Sequence, residues 1–412
     1  MRDCTIFTLS NGIRVVYRQM PSTAIVHCGI ILNVGSRDEN LDNQGIAHFW
    51  EHMAFKGTRK RKTLDILNSL DSVGGELNAY TDKEKIAFYA SVRNEYFERA
   101  VDLLSDITFY SVFPEKELEK ERSVILEEMA MYLDSPDDSL QDEFETVVYK
   151  KHPLGMNILG REDTVKSFRK KDFVAFLKSH VNPSRIVFSC VGNIPLTDVE
   201  RMAKKYIEGF KGFGPTLNGK RAKFSVYKPD EKILRRTIKQ AKCAIGRDAY
   251  PMKHADRIPL YMLVNMLGGP GMNSQLNLAL RERYGFVYSV DAHYIPYTDT
   301  GMFVVFFGTE PKQLDKCITL VKRELEKIRD KPLSVRKLAS LKEQIKGQLA
   351  LSEENNLNLM LMMGRSVLDF GTVPGLDEVF EKIQAPTAQK LQEIAQDIFD
   401  EKKLSFLTMI PE

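Results

Sequence analysis

Apolar residues along this chain recur with two periods, and the periods alternate in blocks. Strand-length runs rich in β-branched and aromatic residues occupy 12–18, 23–34, 86–92 and 185–191. Helical spacing of apolar positions marks 43–55, 64–73, 95–111, 115–133, 172–180 and 196–208. The later part of the chain repeats the order, with a β-rich run at 236–245, a helix at 257–267 and strands at 287–293 and 302–307. Helices at 314–328, 335–351 and 387–399 follow, and a strand at 404–409 closes the pattern. Strands joined by tight turns and followed by blocks of helices predict an α+β fold, since a doubly wound sheet would alternate strand and helix.

Between the two blocks, Lys211-Gly212-Phe213-Gly214-Pro215-Thr216-Leu217-Asn218-Gly219-Lys220 interrupts both periods. The break predicts a linker over 211–224 between repeats at 1–210 and 225–412. Ile46, Phe49, Phe55 and Gly57 fall opposite Ile258, Tyr261, Leu267 and Gly269 at a constant offset. With the repeated element order, this predicts two homologous repeats, each a mostly antiparallel sheet packed with helices.

Composition narrows the function. The 412 residues carry 59 basic and 56 acidic side chains, a formal charge of +3, so no basic excess points to nucleic acid. No apolar run approaches the roughly 20 residues that span a bilayer, so no membrane partner is expected. Met1-Arg2-Asp3-Cys4-Thr5 has neither the basic start nor the apolar stretch of an export signal. Cys4, Cys28, Cys190, Cys243 and Cys317 are scattered without a CxxC pair, as in a reducing compartment. A cytoplasmic protein is expected.

The candidate chemistry lies in the first repeat, at His48-Phe49-Trp50-Glu51-His52. Two histidines four apart on a helix present their imidazoles one turn apart on the same face, which suits two ligands of a tetrahedral Zn²⁺. Glu51 shares that face and is placed to accept a proton from water at the metal. With seven histidines in the chain, such a spacing is rare by chance. It matches the inverted zincin pattern H-x-x-E-H. A third ligand is needed, and the helix at 115–133 offers Glu121, Glu127 and Glu128. Glu121 and Glu128 stand two turns apart on one face, whereas Glu127 points roughly 100° away from Glu128. One carboxylate could ligate and another orient it or a histidine, but spacing alone also fits a solvated acidic face.

The stretch Gly45-Ile46-Ala47-His48-Phe49-Trp50-Glu51-His52-Met53-Ala54-Phe55-Lys56-Gly57-Thr58 resembles the active-site helix of the pitrilysin and mitochondrial processing peptidase family. In that family's spacing the third zinc ligand falls on Glu128 and the accessory carboxylate on Glu121. Gly74-Gly75-Glu76-Leu77-Asn78-Ala79-Tyr80-Thr81 resembles the family's substrate-pairing edge strand, which implies peptide binding at Asn78, Ala79 and Tyr80. Arg281 and Tyr288, beyond the turn Gly268-Gly269-Pro270-Gly271, resemble the pair that holds substrate and stabilises the oxyanion.

The resemblance spans essentially the whole chain. It implies a zinc metalloendopeptidase acting on extended peptides, with one Zn²⁺ per chain bound by His48, His52 and Glu128. Glu51, Glu121, Arg281 and Tyr288 would be its catalytic set. Leu260, Leu263 and Val264 stand opposite His48, Glu51 and His52, and Leu341 and Gln348 opposite Glu121 and Glu128, so 225–412 is expected to be an inactive repeat. A homodimer is expected, a heterodimer with a related chain being the other arrangement. The competing reading is a non-catalytic partner or assembly subunit of the same fold.

Overall fold

The computed structural model describes residues 4–214 and 221–412, so 215–220 of the expected linker lie outside the described residues. Two compact units form, and neither is a continuous stretch of chain. The first takes 1–130, 156–221 and 351–375, and the second takes 131–155, 222–350 and 376–412.

In the first unit, β1 (Thr5–Thr8), β2 (Arg14–Gln19), β3 (Ile25–Leu32), β4 (Glu76–Thr81), β5 (Ile86–Arg93) and β6 (Ile186–Gly192) form one sheet in the order β1-β2-β6-β3-β5-β4. Only β2 and β6 run parallel. Every residue of β6 is buried, because both faces of the sheet are covered. Ile186, Phe188 and Cys190 enter the main core with Phe49, Trp50, Phe88 and Phe173. Val187 and Val191 point the other way, against Met360, Met363 and Val367 of the helix Asn356–Phe370. The chain thus brings back a helix from its late portion to cover this face.

The second unit contains β7 (Glu231–Arg236), β8 (Ala241–Ala249), β9 (Val287–Pro296), β10 (Gly301–Thr309) and β11 (Ser405–Pro411), ordered β7-β11-β8-β10-β9. Here too only one pairing, β7 with β11, is parallel. Without β1, the first sheet reads β2-β6-β3-β5-β4, the same connectivity strand for strand. The duplication expected from the sequence is present as topology. Phe303, Val305 and Phe307 of β10 face one core, while Met302 and Val304 face Leu140 and Phe144 of the helix Pro136–Val148. The two covering helices are equivalents, each following the long helix of its repeat, Glu115–Asp134 or Val335–Glu353. Each packs on the sheet of the other repeat.

The β-rich run at 236–245 resolves into the end of β7 and the start of β8, separated by a turn. Among the described residues no helix is long and apolar enough to cross a membrane.

The helix carrying the histidines, Ile46–Ala54, starts at Gly45 with φ +96°. A Cβ at Gly45 would fall 2.7 Å from the Cα of Gly160, and one at Gly160, itself at φ +89°, 2.5 Å from the carbonyl oxygen of Gln44. Backbone on both sides leaves no flexible atom to yield. Gly160→Ala should therefore cost about 1–3 kcal/mol in chemical denaturation. Gly347→Ala, in open space within a helix, should instead add about 0.5–1 kcal/mol. Equal effects of the two substitutions would refute the close-packing account.

Candidate metal and peptide site

The nine-residue helix Ile46–Ala54 is buried on most sides, with Phe49, Trp50 and Met53 fully enclosed. Its position is set at the N-terminus by Glu39, whose carboxylate accepts hydrogen bonds from the backbone N–H of Gly45 and Ala47, both at 2.8 Å. These are end groups that no turn of the helix can satisfy. Burial pushes the Glu39 carboxyl up to about 8, against the pull of those two N–H groups and of Lys83.

The face left partly open carries the chemistry. His48 and His52 lie with ring centroids 4.7 Å apart. Glu128, from the helix Glu115–Asp134, brings Oε2 to 3.7 Å from His48 Nε2 and 3.5 Å from His52 Nε2. The candidate ligand atoms all lie within 4.8 Å of one another. Ligands of a tetrahedral ion with bonds of about 2.0–2.1 Å sit about 3.3–3.4 Å apart, close to the two carboxylate–imidazole separations of 3.5 and 3.7 Å. They are long for hydrogen bonds. Two imidazole nitrogens and a carboxylate oxygen form a donor set that fits zinc and leaves a coordination position open.

Glu121, two turns before Glu128, accepts from His52 Nδ1 at 3.2 Å and pairs with Lys56 Nζ at 2.7 Å. That contact leaves Nε2 of His52 free to face Glu128. No such partner orients His48, whose Nδ1 is buried without a hydrogen bond among the described residues, so packing alone holds its ring. Glu127 points to solvent. Burial, reinforced by His52, pulls the His48 pKa down to about 3, which keeps that imidazole neutral, as ligation requires. His52 is shifted upward: burial opposes the charge, but Glu121, Glu128 and Glu51 outweigh it. Burial raises both Glu128 and Glu51, whereas His52 and Lys56 hold Glu121 low despite its burial.

Glu51 Oε2 accepts from the hydroxyl of Thr81 at 2.5 Å. Thr81 ends β4, which among the described residues pairs only with β5 and so forms a sheet edge. Asn78, Ala79 and Tyr80 lie along that edge, with Asn78 exposed. The Tyr80 hydroxyl is engaged by Arg365 at 2.8 Å, and Arg365 also pairs with Asp82. What β4 offers a ligand is therefore mainly backbone.

Arg281 and Tyr288 meet in the second unit, the guanidinium 5.5 Å from the ring centre. Arg281 sits on a short π-helical segment, Asn277–Glu282, and Tyr288 on β9 is 83% exposed. The counterpart of the metal helix, Arg257–Gly268, buries Leu260, Leu263 and Val264 in the core. Gln348, opposite Glu128 in the repeat, instead accepts a hydrogen bond from Asn265 at 2.9 Å. A neutral amide pair joins the two helices where the first unit has its charged cluster.

Sequence reasoning missed Glu39, Lys56 and Thr81. Lys56 and Thr81 lie inside the motifs already singled out. Glu39 carries no local signal, because its role depends on a turn folding back onto the helix.

Comparison with known proteins bears on the family and the fold. Residues 14–162 match the family model described as insulinase (peptidase family M16), and 167–345 match that of the peptidase M16 inactive domain. An uncharacterized zinc protease of Bacillus subtilis is 34% identical, over 96% of this chain and 95% of its own length. One from Rickettsia felis is 32% identical over 96% and 94%. In fold, the chain is similar to a protease from Helicobacter pylori with a TM-score of 0.92, at 21% identity and full coverage of both chains. It is also similar in fold to a peptidase M16 inactive domain structure from Pseudomonas fluorescens, with a TM-score of 0.91, 17% identity, and 100% and 98% coverage. The chain belongs to peptidase family M16.

The raised Glu39 carboxyl has a defined effect on stability. A group held neutral in the fold contributes stability that is fully present below its unfolded value near 4.5 and is lost as pH rises through about 8. Melting temperatures between pH 5 and 9 should fall, and Glu39→Gln should flatten that slope. An unchanged slope would show that Glu39 is ionised in the fold.

Proposed function

We propose that this protein is a zinc-dependent metalloendopeptidase, cleaving extended peptides or unfolded segments with one ion per chain. The observation that carries the reading is the convergence of His48 Nε2, His52 Nε2 and Glu128 Oε2 at co-ligand separations, with Glu51 beside them. The names of the relatives, zinc proteases, support it.

A zinc ion held there would supply Lewis-acid activation of water and of the scissile carbonyl. Glu121, anchored by Lys56, fixes the ring of His52. Glu51 accepts the proton of the attacking water and returns it to the leaving amine nitrogen. Thr81 occupies one oxygen of Glu51 and leaves the other for that proton. The substrate backbone pairs with the β4 edge at Asn78, Ala79 and Tyr80, so cleavage depends little on side-chain identity there. Arg281 and Tyr288 hold the substrate carbonyl and stabilise its developing negative charge. In this reading the second repeat, 225–412, contributes that pair and no metal, and two chains assemble into the working enzyme.

Glu51→Gln should retain zinc and lose about 10²–10⁴-fold in cleavage of quenched peptide libraries. Retention of both zinc and full activity would eliminate Glu51 as the base. Glu121→Gln should weaken zinc binding about 10–100-fold, and Glu128→Gln should weaken it further. Glu127→Gln should leave affinity unchanged; matching losses for Glu127 and Glu128 would refute the ligand choice. If the native protein, zinc-loaded, cleaves no peptide of any length, the non-catalytic subunit reading replaces this one.

A further inference from the structure

Arg221 falls in the stretch that the sequence marks as a linker, where a solvated side chain is the ordinary expectation. Its guanidinium is instead enclosed in the first unit, with 13% of the side chain exposed. Nη2 donates to Asp38 Oδ2 at 2.8 Å and Nε to Asp38 Oδ1 at 3.2 Å. Nη1 donates to the side-chain oxygen of Asn33 at 3.0 Å, and Nη2 also reaches the backbone carbonyl of Asn33 at 3.2 Å. A further bond, at 2.9 Å, goes to the backbone carbonyl of Glu84. Burial would raise the Asp38 carboxyl, but Arg221 and Arg185 outweigh it and hold that group low.

These contacts join two segments that lead directly into the candidate site. One is 33–38, which runs on to Glu39 and so to the N-terminus of the helix Ile46–Ala54. The other is the turn 82–85, which follows Thr81, the partner of Glu51. The segments meet through backbone: the N–H of Ser36 donates to the Asp82 carbonyl at 3.2 Å and that of Arg37 to the Lys83 carbonyl at 2.7 Å. They press so closely at Gly35 that a Cβ there would fall 2.4 Å from the Asp82 carbonyl oxygen. One planar fork on Arg221 reaches Asn33, Asp38 and Glu84 at once, which the single ammonium of a lysine does not. Desolvation offsets much of the Coulomb gain of buried charges, so the gain from such a network is a fixed arrangement more than stability. We propose that Arg221 is a positioning residue for peptide cleavage. By locking 33–38 to 82–85 it sets the helix that carries Glu51 against the hydroxyl of Thr81 that holds one Glu51 oxygen. Asn78, Ala79 and Tyr80 keep their ladder with β5, so peptide binding does not depend on it. The inference rests on the peptidase reading of the same site.

The test compares zinc-loaded full chains. Arg221→Gln should lower kcat about 10–100-fold with KM within about twofold of native. Arg221→Lys, which keeps the charge without the fork, should fold and remain at least about fivefold low in kcat. Methylguanidinium should restore part of the kcat of Arg221→Ala and leave the native rate unchanged. Arg61→Gln serves as the stability control, because Arg61 pairs with buried Asp106 at 2.7 Å and touches neither segment. It should lower the melting temperature and keep kcat within about twofold. Independently of activity, hydrogen–deuterium exchange in 43–49 and 80–86 should become at least about tenfold faster in Arg221→Gln and not in Arg61→Gln. Unchanged exchange in both segments, a rise in KM at native kcat, or equal kcat losses in Arg221→Gln and Arg61→Gln would each overturn the proposal. If the native protein cleaves nothing, the peptidase reading fails, whereas the exchange comparison still decides whether Arg221 fixes the two segments.

Discussion

The position of one short helix governs the rest. Ile46–Ala54 has nine residues, too few to be stable on its own, and its fold is imposed by burial. Phe49 and Trp50 fix its rotation, Glu39 ties its first N–H groups, and the contact between Gly45 and Gly160 sets how closely its start approaches the neighbouring backbone. With the helix pinned at those points, the face it turns outward can be assigned to His48, Glu51 and His52. Glu128 arrives from a separate long helix and meets them without a direct hydrogen bond to either histidine nitrogen that it faces.

The equivalent helices of the two units carry different side chains on one shared framework. Both units use the same strand order with a single parallel pairing, and both cover the far face of the sheet with a helix taken from the other repeat. In the second unit the equivalent helix is lined with Leu260, Leu263 and Val264, and the Asn265–Gln348 amide pair joins it to the long helix. Apolar packing and one neutral hydrogen bond do there what charged groups do in the first. The polar groups of the first unit are costly to bury, which is the usual mark of a site kept for chemistry.

Much of this was legible in the residue pattern. The strands Arg14–Gln19, Ile25–Leu32 and Ile86–Arg93 and the long helix Glu115–Asp134 follow directly from apolar periodicity. The H-x-x-E-H spacing put His48, Glu51 and His52 on one face, and family resemblance, more than spacing, singled out Glu128 from its acidic neighbours. The covering helices Pro136–Val148 and Asn356–Phe370 were not read. Met-rich, nearly continuous apolar character such as Leu359 to Met363 gives no single helical face, and its partner strands lie far away in sequence. Glu39 and Thr81 were missed for the same reason. Each acts through a contact made only once the chain has folded: Glu39 with an N-terminus six residues on, Thr81 with a side chain thirty residues back.

The most direct test of the central claim is zinc X-ray absorption on the purified protein, read with the metal content per chain. The account predicts one zinc per chain with two imidazole nitrogens and a carboxylate oxygen at about 2.0–2.2 Å, and loss of that signature in His48→Ala. Absence of zinc, a sulfur ligand, or an unchanged spectrum in His48→Ala would contradict it.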